Sequence, residues 1–133
     1  MFLVKTYIAE STIPGAGLGC FAGEPIARDT QIWNYHEGLD ICITPEQFSQ
    51  LPPAIKEVLD DRAYMYRGKI YHCADNAQFM NHCTDERLNT YEFNDGTFAG
   101  RDIQHGEELL TNYYSFAATD EDRSFRFGWM DKV

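Results

Sequence analysis

The chain has 133 residues, enough for one domain that buries a core of its own. Hydrophobic residues at 44% and aromatics at 14% argue against disorder. The net charge of -10 disfavours direct nucleic-acid binding, which needs Lys and Arg to displace counterions, and suits a basic partner such as a Lys-rich protein segment.

No apolar run approaches the roughly 20 residues of a membrane span. Met1-Phe2-Leu3-Val4-Lys5 is too short for a secretory signal, and its basic residue follows the apolar stretch. The expectation is a soluble intracellular chain with no membrane contact, cytoplasmic or acting inside a host cell or nucleus. Cys20, Cys42, Cys73 and Cys83 show no Cys-x-x-Cys spacing, so reduced thiols are expected. His72-Cys73 and His82-Cys83 do not read as zinc ligands, because neighbours on a strand point to opposite faces. No metal is expected.

Residues 2–9 are rich in Val, Ile, Tyr and Thr and predict a first strand. The loop that follows carries Gly15, Gly17 and Gly19, which permit close approach of a ligand to the main chain. Gly19-Cys20-Phe21-Ala22 and residues 30–35 predict two more strands, joined by a turn holding Pro25. Thr44, Pro45 and Gln47 form a helix start, with Thr as N-cap, Pro at the first position and Gln closing a capping box. Pro52-Pro53 ends that helix, and a second one is predicted with Ile55, Val58 and Leu59 on one face. Residues 64–72 read as a hairpin turning at Arg67-Gly68, and residues 89–99 as another turning at Asn94-Asp95. The architecture is mostly β with one helical insert, about residues 44–68, and no βαβ repeat.

Three motifs stand in order along this frame. They are Gly17-Leu18-Gly19 before Cys20-Phe21-Ala22, Phe79-Met80-Asn81-His82, and Gly106-Glu107-Glu108-Leu109-Leu110 running on to Tyr113. Together they resemble the SET-domain protein lysine methyltransferases, over residues 13 to 114. The resemblance implies the β-clip SET fold as a single domain over residues 1–133, with a C-terminal pseudoknot that brings Asn81-His82 beside Tyr113. It implies S-adenosylmethionine as cofactor and a lysine in a histone or other Lys-rich protein as methyl acceptor. Gly17, Leu18 and Gly19 would meet the cofactor through main-chain contacts, Asn81 through its side chain and His82 through its backbone. Tyr113 stands where the family has its essential tyrosine. Tyr71, Tyr91 and Tyr114 are further candidates for the substrate channel. The tail of residues 115–133 carries Phe125, Phe127 and Trp129 at alternate positions, so Phe127 and Trp129 are candidates to close that channel. One of Glu107 and Glu108 would hold the loop around the threaded segment.

The sequence departs from the family at Gln78, where an Arg is common, and in residues 83–89 after the Asn-His pair. It also lacks the zinc-bound cysteines that some relatives carry after the domain. A domain this short is similar to the stand-alone SET proteins of viruses and bacteria more than to large chromatin regulators. A SET-like module that binds a protein segment without turnover is the alternative.

Overall fold

The computed structural model describes residues 1–116. Among the described residues, ten short strands are joined by two α-helices in the middle of the chain and by single 3-10 turns at Asn76–Phe79 and Tyr113–Ser115. Strand β1 (Thr6–Glu10) pairs antiparallel with β2 (Leu18–Ala22), in register from Thr6 opposite Ala22 to Glu10 opposite Leu18. The predicted first strand thus begins four residues later than residue 2. Phe2 makes only an isolated bridge to Trp33.

Strand β3 (Gln31–Asn34) lies on a second sheet, beside a hairpin met later in the chain. Strand β4 (Ile41–Ile43) then leads to the helical insert. Helix α1 (Pro45–Ser49) starts as its residues require. The Thr44 side chain accepts from the Gln47 amide, and the Gln47 side chain accepts from the Thr44 amide. Helix α2 (Pro53–Asp60) buries Leu59 alone, while Ile55 and Val58 are exposed at 46% and 61%. Of the three residues predicted on one face, Leu59 alone is buried. Eight residues give the helix two turns, and it meets the small sheet below it through Leu59.

That small sheet has the order β4-β6-β5, with β5 (Tyr64–Tyr66) and β6 (Lys69–His72) forming the predicted hairpin. Its two turn residues, Arg67 and Gly68, both have positive φ, as a tight hairpin turn of matching twist demands. The second hairpin, β8 (Thr90–Phe93) and β9 (Gly96–Ala99), turns in the same way at Asn94 and Asp95 and completes the sheet of order β3-β9-β8.

The last pairing is parallel. Strand β7 (Asn81–His82) takes β10 (Leu110–Thr111) alongside it, with Leu110 opposite Asn81. Residues 108–111 are gripped from several directions. The Leu109 amide donates to the Cys20 carbonyl at 2.8 Å, and the Cys83 amide donates to the Thr111 carbonyl at 3.0 Å. The side chain of Asn89, only 2% exposed, donates to the Glu108 carbonyl at 2.8 Å and accepts from the Leu110 amide at 2.9 Å. The Thr90 hydroxyl donates to the Leu110 carbonyl at 2.8 Å. This is the threaded C-terminal segment, an arrangement uncommon among folds.

Two cores flank it. One joins Cys20, Ala22, Ile32, Met80, Ile103 and Leu109. The other lies in the insert around Leu59, Ala63, Met65 and Ile70, and Tyr113 and Phe116 pack on it. The four cysteines are free thiols.

Candidate functional site

Two cavities meet at Tyr113. The first, about 420 Å³, is walled by the glycine loop (Ile13, Pro14, Gly15, Ala16 and Leu18) on one side. Phe79, Asn81, His82 and Tyr113 form the other. Gly15 and Gly17 have φ of +78° and +77°, and no atom lies within 4 Å of a Cβ built on either. The loop therefore presents bare main chain, and its left-handed glycines explain how it turns. Arg62, at the end of the insert, adds a positive charge to this wall. Its guanidinium lies 4.4 Å over the Phe79 ring and donates to the Gln78 side chain at 2.7 Å. Gln78 thus meets a guanidinium that comes from the insert.

A buried carboxylate braces the loop. Glu108, 6% exposed, accepts from the Ser11 hydroxyl at 2.7 Å and the Asn81 amide at 3.1 Å on one oxygen. The other oxygen accepts from the Thr12 amide at 2.8 Å and the Thr12 hydroxyl at 2.5 Å. Burial alone would raise its pKa, but the hydrogen bonds from Thr12, Asn81 and Ser11 prevail and hold it below the usual range. Glu108 thus holds the start of the glycine loop at Ser11 and Thr12, rather than the loop around the threaded segment. Glu107 pairs with Arg101 at 3.0 Å on the surface. Asn81 belongs to the same brace, since its amide nitrogen also donates to the Leu18 carbonyl at 2.9 Å and to Ser11 at 3.1 Å.

Tyr113 is set by two contacts. Its amide donates to His82 Nδ1 at 3.0 Å, and its hydroxyl donates to the Met80 carbonyl at 2.5 Å. Burial, reinforced by the negative charge of Glu108, pushes its pKa well above that of a free phenol, so it is no base at neutral pH. Burial lowers the pKa of His82, which matches a neutral ring whose Nδ1 accepts.

The second cavity, about 440 Å³, also has Tyr113 in its wall. Its walls are aromatic, with Tyr35, Tyr64, Tyr66, Tyr71 and Phe116 among the lining residues. Tyr64 and Tyr71 stack at 5.9 Å between centroids, and burial raises the pKa of both. Glu92 also reaches this cavity.

The family model for the SET domain matches residues 17–114. The chain belongs to the SET-domain family. Among solved structures, it is similar to the Chaetomium thermophilum polycomb repressive complex 2, at 22% identity and a TM-score of 0.61. That match covers 83% of this chain and 15% of the other. A Plasmodium falciparum putative histone methyltransferase matches at 23% identity and a TM-score of 0.58, covering 83% of this chain and 93% of that one. An autoinhibited form of the Chaetomium complex bound to S-adenosylmethionine matches at 21% identity and a TM-score of 0.61, over 85% of this chain and 16% of the other. The chain thus spans about a sixth of the polycomb chains it resembles. A comparison of the sequence with curated proteins gives no match.

Within this SET domain, Leu18, Asn81, His82 and Tyr113 line the loop-side cavity, and Tyr71 lines the aromatic one. Gly17 and Gly19 are not on either wall among the described residues. Gly17 shapes the loop. Gly19 makes room for Glu108, whose Oε1 would lie 2.3 Å from an added Cβ. Tyr91 lines neither cavity. The alternation along β8 turns it outward, where it stacks on Phe98 at 5.5 Å and donates to Asp29 at 2.9 Å, while Glu92 takes the inward position. Tyr114 packs edge-on against His82 at 5.5 Å and lines neither cavity. Phe127 and Trp129 lie outside the described residues. The sequence reading missed Arg62 and Glu92. The inward place of Glu92 was available from strand alternation once Tyr91 was assigned outward.

Proposed function

We propose that this SET domain transfers methyl groups from S-adenosylmethionine to lysine side chains of a histone or another Lys-rich protein. The observation that carries the reading is that a loop-walled cavity and an aromatic cavity adjoin along Asp61, Arg62, Gln78 and Tyr113, with Tyr113 the one tyrosine in both walls.

The loop-side cavity suits the cofactor. Its volume of about 420 Å³ is within the range of small-molecule sites, and its exposed main chain, Arg62 and Asn81 match an amino-acid group carrying both charges. When bound, the cofactor supplies a methyl group on a positively charged sulfur. Arg62 would hold the carboxylate, and the glycine loop and the backbone at His82 would flank the rest. Asn81 keeps the wall in place through Leu18, Ser11 and Glu108.

The aromatic cavity suits a lysine. An ammonium has no lone pair, and making the neutral amine at neutral pH costs roughly 4–5 kcal/mol in water. Aromatic walls lower that cost by desolvating the ammonium. Tyr113 orients the amine. Its proton is committed to the Met80 carbonyl, so its oxygen lone pairs face outward as acceptors for the amine hydrogens. Together the two cavities align donor and acceptor, an orientation effect potentially worth several kcal/mol. The net charge of -10 steers a basic substrate toward the domain.

The test is calorimetric titration of S-adenosylmethionine into the wild type, Asn81→Ala and Tyr113→Phe, followed by methyl transfer to Lys-rich peptides. The wild type should bind, Asn81→Ala should bind weakly, and Tyr113→Phe should bind nearly as well as the wild type yet lose most transfer. Absence of binding by the wild type would overturn the reading and leave a SET-fold module that holds a protein segment.

A further inference from the structure

Glu92 has no part in the reading above, and its surroundings give it one. It stands on β8 opposite Thr97 and lines the aromatic cavity. The Thr97 hydroxyl lies 2.9 Å and 3.0 Å from its two oxygens, and the Thr111 hydroxyl lies 3.4 Å from one of them. Two hydroxyl hydrogens cannot fill the four or so lone-pair sites of a carboxylate. Acceptor capacity is left over on a group facing a cavity.

We propose that Glu92 is the group that binds the substrate ammonium in the aromatic cavity and takes its proton. The proposal rests on the lysine-methyltransferase reading. In the step, one N–H bond of the ammonium breaks and an O–H bond forms on Glu92. The nitrogen keeps the electron pair and becomes a neutral amine, and the proton later passes from Glu92 to solvent water. Tyr113 cannot do this, because it is already protonated and its own proton is donated to Met80.

The neighbours do not compete for the role. Tyr64 on β5, Tyr71 on β6 and Cys73 beyond it are held neutral by burial. Arg67 pairs with Asp95 at 3.3 Å, and Arg62 engages Gln78 and Phe79. Asp61 lines the same cavity but is exposed, as is Asp95. Glu92 is the half-buried carboxylate of the wall. Burial raises its pKa to about 7 against the hydroxyl hydrogen bonds, so near neutral pH it exchanges a proton readily in either direction.

The experiment has two readouts. Carbon-detected NMR of the Glu92 carboxyl follows its titration with and without n-butylammonium, and the same probe is titrated into Glu92→Gln and Glu92→Asp. Glu92 should titrate near 7, move to lower pH with butylammonium, and bind it about tenfold or more tightly than Glu92→Gln does, the usual worth of a charge-assisted contact. Glu92→Asp should recover part of the affinity. The second readout is the pH profile of methyl transfer. The wild-type rate should rise through about 7, whereas Glu92→Gln should follow the neutral fraction of free lysine and rise toward about 10.

Equal butylammonium affinity in wild type and Glu92→Gln would overturn the proposal. So would a wild-type carboxyl that titrates in the ordinary carboxylate range and ignores the probe, a result that needs no variant. If butylammonium binds through Glu92 while no peptide is methylated, the methyltransferase reading fails and amine recognition by the cavity stands.

Discussion

Replacing Gly19 with alanine separates the two jobs done by the glycine loop. Gly19 lies in β2 without a positive φ, so alanine is compatible with its backbone. The obstacle is space. The new methyl would sit 2.3 Å from Glu108 Oε1, 2.9 Å from Glu108 Cδ and 3.2 Å from Ser11 Cα. A flexible carboxylate could swing away cheaply, but this one is fixed by Ser11, Thr12 and Asn81. Moving it breaks at least the two bonds on Oε1. At about 1.5 kcal/mol or more for each bond to a charged group, Gly19→Ala should cost about 3 kcal/mol. For a domain of this size that is about 10 °C in Tm. Gly17→Ala is the control. Its added Cβ meets nothing within 4 Å, and it pays only for φ of +77°, about 1 kcal/mol and a few degrees. Thermal unfolding followed by circular dichroism, with S-adenosylmethionine titration alongside, measures both. The Glu108 bonds favour its charged form, so their stabilisation is present above the ordinary carboxylate range and is lost as pH falls below it. The gap between wild type and Gly19→Ala should therefore narrow in acid. Gly19→Ala combined with Glu108→Asp should be no worse than Gly19→Ala alone, because the network is already broken. Equal losses for the two glycine variants, or a gap that does not change with pH, would refute the reasoning.

Asn89→Ala should strip partners from the Glu108 carbonyl and the Leu110 amide, both inside the fold, at about 1–3 kcal/mol for each group left unpaired. Hydrogen exchange at Leu110 should speed up more than exchange in β1, and equal changes would count against this. His82 sets an acid limit. Its neutral ring accepts from Tyr113, and burial lowers its pKa, so it contributes stability above the ordinary histidine value of about 6.5 that is lost as pH falls through its lowered folded value. His72, also lowered by burial, titrates in the same window, so the measure is the difference between wild type and His82→Asn in urea midpoint. That difference should shrink as pH falls below about 6.5, and a constant difference would remove His82 from the account.

The parts of this fold legible in the sequence are those whose cause is local. The capping box at Thr44 and Gln47 and the two hairpin turns at Arg67-Gly68 and Asn94-Asp95 appear where the residues dictate, because their hydrogen bonds and φ values involve near neighbours. The order of the glycine loop, Asn81-His82 and Tyr113 was legible through family resemblance, which also implied the threaded segment. What was not legible depends on distant partners. Gly19 reads as a ligand-contacting glycine until Glu108, far along the chain, is seen to occupy the space above it. The apolar residues of α2 share a face, and which of them finds a core, Leu59 alone, depends on what packs beneath it. Tyr91 looked like any other tyrosine, and only its register opposite Phe98 shows which side of the sheet it faces.

The same dependence on distant partners explains why Tyr113 is placed so firmly. Its amide is held by His82 on β7, its hydroxyl by the carbonyl of Met80, and its ring packs on the insert core of Leu59, Ala63, Met65 and Ile70. Met80 in turn belongs to the main core with Cys20, Ile103 and Leu109. A tyrosine gripped by both cores cannot rotate without disturbing one of them, since close-packed interiors have discrete arrangements rather than soft ones. That matters for a site at which two cavities must line up. Orientation is effective only if the reacting groups are held within a fraction of an ångström, and a misplacement of about 1 Å can cost a hundredfold in rate. On the proposed reading, the helical insert is thus part of the alignment as well as a wall. Loosening it at Leu59, which lines neither cavity but packs beneath the aromatic one, should lower transfer while leaving the loop-side cavity able to bind.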